Sequence, residues 1–553
     1  MLKNSLVSYV GWSRRNYEYV DLCPGSHIVQ TREIRRWPQR ATQQRPNSVT
    51  RFTAAAALAA AISLLLLYAF VRGVYVVFFH PLAKVPGPKL YSFTTIPYYY
   101  YLAIGEWPRK LRKLHEQYGP VVRYTSGDVS FTTPDAWKKI YGHKTAHESS
   151  FHKDIRLYRT PVSGSPNIIR ANDADHRRMR RLLAHAFSEK ALRGQEDIMK
   201  HYIDLFISNL NEKAQNNEVV DIVRWFNYTT FDLIGDLAFG EPFHCLDTGD
   251  YHPWVAMIFQ SVKLSSLAHI VKRAPWLEPV SALLTPKHMK QDNSNHHQLS
   301  RGTAKKRLQS GNTVREDFMS YILRHNDEKG MTEDEIIENS SVLIVAGSET
   351  TATQLSGTTY NLLTNRDVYD KLVREVRTSF RSEDEITLLS VNDLEYMLAV
   401  LNESFRLYPP VPIGLPRLTP KGGEYIEGYW MPEDTVVSVP QFSAYRSPRL
   451  WNDPDKFVPE RWLGDKRYAT DCRDILQPFS VGPRNCIGKN LAYAEMRLIL
   501  ARLLYNFDLE IMPDSRNWSQ QKIYTLWEKG PLNVKLTPVR KETEKTSEFT
   551  QAS

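Results

Sequence analysis

The chain has 553 residues, with 71 Lys and Arg against 61 Asp and Glu and a formal charge of +10. The basic residues are spread along its whole length without a recognition motif, which argues against nucleic acid and leaves an acidic protein partner or a membrane surface as the use of the excess. Its four cysteines, widely and irregularly spaced, form neither a disulfide framework nor a paired Cys-x-x-Cys zinc site, and suit a reducing compartment. Length alone admits three or four domains. No internal repeat or Gly/Ser linker divides the chain, so one large domain is expected.

Residues 1–51 read as a basic leader, with Arg32, Arg35, Arg36, Arg40, Arg45 and Arg51, a composition shared with transit peptides. Twenty mostly apolar residues follow from Phe52 to Val71, and seven more from Gly73 to Phe79, which predicts a transmembrane anchor over 52–79. The run is too long and too far from Met1 for a cleaved signal peptide. By the charge rule, the arginines before it place the N-terminus in the cytosol. Prolines stiffen a hinge over 80–90.

Val121 to Tyr124, a Ser126-Gly127-Asp128 turn and Val129 to Thr132 predict a β-hairpin. Helices then dominate. Asn172 caps a helix from His176 to Phe187, on which His176 and Arg180, four apart, share a face. Further helices are expected over Glu189 to Leu210 and Phe226 to Phe239, the latter stopped by Gly240 and Pro242. Residues 285–315 are polar and basic, and His296-His297 within them reads as surface loop.

Thr332-Glu333-Asp334-Glu335 is a capping box opening a long apolar run to Leu363. In its middle, Ala346-Gly347-Ser348-Glu349-Thr350-Thr351 sets a glycine, an acid and alcohols where a buried helix has little use for them. Glu403 and Arg406 are three apart on one helix face. Val411 to Arg417 reads as an apolar strand, and Pro459-Glu460-Arg461-Trp462 follows it. Last comes Phe479-Ser480-Val481-Gly482-Pro483-Arg484-Asn485-Cys486-Ile487-Gly488, then a helix from Lys489 to Tyr505. A cysteine just before a helix meets unpaired N–H groups and the positive end of the macrodipole, which favours the thiolate. The last residues, 541–553, form a polar tail.

The pattern Phe-x-x-Gly-x-Arg-x-Cys-x-Gly resembles the haem-binding loop of the cytochrome P-450 family, and four motifs stand in that family's order between about residues 80 and 540. The resemblance implies a mainly α fold with a small β region, a catalytic domain over 91–540, and haem b on Cys486, with Phe479 beside the sulfur and Gly488 letting the helix backbone come close to the flat macrocycle. It assigns Arg484, Arg180 and Arg417 to the haem carboxylates. His176 stands where the family usually has Trp. It gives Glu349 and Thr350 to proton delivery, Ala346, Ile413 and Leu415 to the substrate pocket, and Glu403, Arg406 and Arg461 to a structural triad. The implied activity is a monooxygenase acting on a hydrophobic small molecule, as in fungal members that oxidise terpenoid or polyketide secondary metabolites. Electrons would come from NADPH through a reductase or a cytochrome b-type donor. The family's usual setting is the endoplasmic reticulum membrane with the catalytic domain cytosolic, opposite to the charge rule. A haem-thiolate isomerase or dehydratase, or a non-catalytic membrane haem protein, are the alternatives.

Overall fold

A computed structural model describes residues 48–145, 148–158, 163–252, 268–279, 301–310 and 317–539. The leader up to residue 47, the His296-His297 pair and the polar tail lie outside these residues. The chain divides into two units, Met1–Leu66 and Leu67–Ser553. Helix α1, Ser48–Phe78, begins in the first. Its stretch Ala55–Phe78 is long and apolar enough to cross a membrane, with mean hydropathy 2.1. At 1.5 Å per residue it is about 36 Å long against a hydrocarbon layer of about 30 Å. Leu64, Leu65, Leu66 and Leu67 are all more than half exposed, so this is not a core helix.

The second unit is mainly helical. Its principal helices are α2 (Trp107–Tyr118), α3 (Asp173–Leu183), α4 (Glu196–Gln215), α5 (Ile222–Phe239), α6 (Glu333–Thr364), α7 (Arg366–Ser379), α8 (Glu395–Leu407) and α9 (Lys489–Asn506). The strands are short: β1 (Val121–Arg123), β2 (Asp128–Phe131), β3 (His152–Lys153), β4 (Val219–Asp221), β5 (Arg417–Leu418), β6 (Glu424–Ile426), β7 (Tyr429–Met431), β8 (Val436–Ser438), β9 (Phe507–Ile511) and β10 (Asn533–Pro538). One sheet runs β1-β2-β8-β5-β3, with β2 and β8 parallel and the other pairs antiparallel. A second runs β4-β10-β9, and β6 pairs with β7.

Several local expectations change in detail. Asn172 does cap α3, its side chain accepting from the Ala174 and Asp175 amides at 3.0 and 2.9 Å. The helix expected to follow from Glu189 is broken in two at Gln195. Gly240 ends α5 in the left-handed conformation, φ +74°, as its sequence position suggests. The strand expected over 411–417 shrinks to β5. Pro412 and Pro416 have no N–H to give a ladder, and both stand in the lost part.

Helix α6 has 32 residues and is the spine of the domain, packed against α5, α8 and α9. Its capping box is complete: the Thr332 amide donates to Glu335 Oε2 at 2.9 Å, and the Glu335 amide to Thr332 Oγ1 at 3.3 Å. Gly347 allows α5 to come close, since a Cβ there would stand 2.8 Å from Ile234 Cδ1. The helix-forming cost of that glycine is about 1 kcal/mol, and the space it leaves is filled by the Ile234 side chain of α5.

Behind the cysteine loop, Glu403, Arg406 and Arg461 are fully buried together. Glu403 accepts from Arg406 Nε and Nη2 at 2.9 and 2.7 Å, from Arg461 Nε at 3.0 Å and from Trp462 Nε1 at 3.0 Å. Arg461 also pairs with Asp471, a partner that no motif announces. Arg406 donates onward to the carbonyls of Tyr445 and Lys456 at 2.9 and 2.8 Å. Two guanidinium groups out of water require this carboxylate, because unpaired buried charge costs several kcal/mol. Glu403→Ala is therefore expected to lower stability by about 3–5 kcal/mol. Urea unfolding followed by circular dichroism checks this, and a loss under about 1 kcal/mol contradicts it.

Candidate active site

The cysteine loop is shaped by its own backbone. The Cys486 amide donates to the Phe479 carbonyl at 2.8 Å, and the Asn485 amide to that of Gly482 at 3.1 Å. Gly482 has φ +76°, and a Cβ on it would stand 2.0 Å from the Tyr141 carbonyl oxygen, so glycine is required twice over. Gly488, the residue before α9, has an ordinary φ of −86°, and its Cβ would meet only Phe187 at 3.7 Å. Nothing among the described residues requires glycine there. Phe479 packs its ring on Phe405 and Tyr493, with centroids 5.2 Å from each.

Cys486 has protein around it at depth, yet its side chain is exposed, so its surface faces a recess inside the molecule. Burial pushes its thiol pKa up, against the opposing pull of the Gly488 N–H, Arg180 and Lys489. This corrects the expectation from helix position alone: in the polypeptide by itself desolvation outweighs the helix terminus. A metal cation reverses that balance, since a coordinating thiol is deprotonated outright.

Around the loop gathers a group of basic side chains, buried or half-buried. Arg484 donates through Nη2 to Asp173 Oδ1 and the Ala171 carbonyl, both at 2.8 Å, while its Nη1 is buried without a partner among the described residues. Arg417, on β5, reaches the Phe151 carbonyl at 3.4 Å, and its Nε is likewise unpartnered. Lys153, on the neighbouring β3, donates to the Ile169 carbonyl at 2.8 Å. Its pKa is held well below the usual range by burial and by Arg417 and Arg484. His176 on α3 is buried, and burial followed by Arg484, Lys153 and Arg180 pushes it down to about 3, so its ring is neutral at pH 7. Arg180 donates to the carbonyl and side-chain oxygens of Asn485, the latter at 2.6 Å. These bonds tie Arg180 to the loop and not to an open position.

Such a group needs anions. Among the described residues, Asp173 is the carboxylate bonded to it, and two buried guanidinium nitrogens lack acceptors. Carboxylates beside Arg417, Arg484 and Lys153 supply them with charge-assisted bonds. This donor set, with an enclosed thiol next to it and an unneeded glycine at Gly488, fits a haem with its two carboxylates and its iron on sulfur.

Helix α6 supplies a second wall. Midway along it Ala346 is exposed and Gly347 and Thr350 are half-buried, between the buried Ile344 and Ser348 and the buried Thr351 and Ala352. Thr350 Oγ1 donates to the Ala346 carbonyl at 2.5 Å, which leaves its lone pairs as acceptors. Glu349 is 3% exposed and ion-paired with Lys529, Oε1 to Nζ 2.9 Å. Ile413 lines a small cavity with Tyr98, Trp107 and Tyr124. Leu415 packs instead on the cluster around Val437 and Val439. Lys153 and Lys529 were missed from the sequence. Neither stands in a motif, and only the folded chain brings them to Arg417 and Glu349.

The cytochrome P450 family model matches residues 86–536. The cytochrome P450 monooxygenase aclL of Aspergillus oryzae is 45% identical, over 86% of this chain and 97% of its own length. Cytochrome P450 monooxygenase lcsI of Purpureocillium lilacinum is 44% identical over 90% and 96%, and astA of Talaromyces wortmannii 46% identical over 85% and 95%.

The loop geometry makes a direct prediction for Gly482→Ala. A Cβ driven against a backbone carbonyl at a positive φ cannot relax by a side-chain rotation. The variant is expected to lose more than about 1–3 kcal/mol of stability and to retain haem poorly. Haem content per protein and urea midpoint check this; parent values for both count against it.

Proposed function

The chain belongs to the cytochrome P450 family and is a monooxygenase of it, and from that premise we propose that it inserts one oxygen atom of O2 into a hydrophobic molecule of fungal secondary metabolism, terpenoid or polyketide in type. The buried cation group beside Cys486, with its two unpartnered guanidinium nitrogens, is the observation that carries the haem-dependent reading. Bound here, haem supplies the activation of O2 and the oxygen transfer.

The chain's own residues hold and shield that chemistry. Cys486 provides the sulfur ligand, kept in place by its amide on Phe479 and by Arg180 on Asn485. Arg417, Arg484, Lys153 and His176 receive the haem carboxylates. Ala346 and Ile413 offer apolar wall to substrate, with Leu415 behind. Glu349 takes up and releases protons, and Thr350 passes them on through a hydroxyl whose lone pairs are free to accept. Glu403, Arg406, Arg461 and Asp471 keep the loop's support rigid from behind.

The electrons come from NADPH through a reductase or a cytochrome b-type donor. The apolar segment 52–79 anchors the protein in the endoplasmic reticulum membrane with the catalytic domain cytosolic. The exposed leucines of α1 support anchoring.

Cells that express the full chain with a reductase are expected to gain an oxygenated apolar product absent from control cells and from cells carrying Cys486→Ala. Mass spectrometry of extracts reads the product, and the reduced carbon monoxide spectrum reads the thiolate. A product that persists in the alanine variant, or a thiolate spectrum unchanged by it, refutes the assignment.

A further inference from the structure

The chain leaves its membrane-length segment along a path that the folded domain fixes. The segment ends at Phe78, and Pro81, three residues on, is at most about 11 Å from that end. Arg123 ties down the last turn of α1, its Nη1 donating to the Val76 carbonyl at 3.1 Å. A short helical turn follows, Pro81–Lys84, entered through His80, whose Nδ1 accepts from the Leu82 amide at 3.1 Å. Leu82 and Val85 are buried in one apolar cluster with Ile426 of β6 and Met431 of β7. The exit of the segment and the β6–β7 hairpin, far apart in sequence, therefore pack as one piece.

Glu427 and Gly428 form the two-residue turn of that hairpin, both with positive φ, +51° and +76°. Because side chains alternate along a strand, burying Ile426 and Met431 turns Tyr425 and Trp430 outward. These two rings stand opposite each other across the strands, centroids 4.9 Å apart, and are 61% and 39% exposed. With Pro81, Lys84 and Val85 they line a groove of about 580 Å3. Lys84 is exposed and has no ion-pair partner among the described residues. The acids of the hairpin are engaged elsewhere: Glu424 pairs with Lys139 at 3.4 Å, and Glu427 accepts from Thr133 Oγ1 at 2.6 Å.

Trp and Tyr collect at the boundary between lipid tails and water, where an apolar ring and a polar tip are both met. A lysine just past a span meets the phosphates of that boundary. We propose that this groove binds the headgroup of an anionic phospholipid, with Lys84 against its phosphate and Tyr425 and Trp430 beside its glycerol, so that the catalytic part is seated on the bilayer by this site as well as by its span. The proposal rests on the anchoring role given to residues 52–79 above. Continuity with the span selects lipid over a protein partner, because lipid is already present at the level to which the exit brings the hairpin.

Photochemical cross-linking of the full-length, haem-loaded protein tests this, in nanodiscs of phosphatidylcholine containing a phosphatidylserine with a photoreactive headgroup. Peptide mass spectrometry is expected to find adducts within residues 79–89 and 424–431, removed by excess ordinary phosphatidylserine and kept in excess phosphatidylcholine. In Lys84→Met those adducts fall about fivefold, the effect of one lysine near an anionic surface, and Lys84→Arg restores them. Trp430→Ala lowers them too, and Tyr425→Ser, at the more exposed ring, replaces it should that variant fail to load haem. Adducts confined to residues 52–78 overturn the groove and leave the anchor standing. Groove adducts that phosphatidylcholine removes equally well, or that Lys84→Met leaves at the parent level, mark a surface that merely touches lipid and overturn the headgroup site. Removal by inorganic phosphate in solution marks a free-anion site and overturns it as well. Protein that carbonate washing strips from membranes, with no adduct on residues 52–78, shows that the anchoring reading itself fails.

Discussion

Positive charge buried without enough negative charge is the constraint on which the active site depends. Arg417, Arg484 and Lys153 come from a strand, a loop and a neighbouring strand; one nitrogen of each arginine has no acceptor among the described residues, and burial and the two arginines hold the Lys153 ammonium well below its usual pKa. Desolvating such a group costs several kcal/mol per charge unless anions meet it. A dianionic group held at this place would relieve that cost. Any ligand of the native state that meets these charges would stabilise the fold as it binds.

Rigidity behind the site comes from the opposite arrangement, buried charges that are fully met. Glu403 has its lone pairs filled by two arginines, a tryptophan and a backbone amide, and Asp471 takes the remaining arm of Arg461. A saturated network of this kind contributes little net stability but permits few alternative geometries. That property suits a support for a loop whose sulfur must stay in one position.

Helix α6 joins the two. Gly347 pulls α5 against it, and Gly357 does the same for Tyr408, where a Cβ would stand 2.3 Å from Cδ1. Between these close contacts its hydroxyl side chains turn back on the helix, as Ser348 does on the Ile344 carbonyl at 2.6 Å and Thr350 on that of Ala346. Such bonds satisfy buried alcohols locally. Glu349 is different, since no neighbour on the helix neutralises its charge. It needs Lys529 from 180 residues further along the chain.

What could be read from the amino-acid order was whatever depends on near neighbours. The capping box at Thr332, the Asn172 cap, the Gly240 stop and the membrane-length apolar run all rest on contacts within a few residues. The haem-loop pattern belongs with them in part: the positive φ of Gly482 and the Cys486 amide on Phe479 are local, whereas the Tyr141 carbonyl against Gly482 is not. The Glu403, Arg406 and Arg461 set was legible only through family resemblance. Where interactions between distant segments compete, local reading lost. The thiol of Cys486 looked stabilised as thiolate by its helix, but burial outweighs that terminus. Val411 to Pro416 looked like strand, but their prolines cannot supply a ladder. Lys153 and Lys529 are ordinary lysines in sequence. Folding alone brings them to Arg417 and Glu349, since a lysine's surroundings are set by the charges and the depth around it, and those come from residues hundreds of positions away.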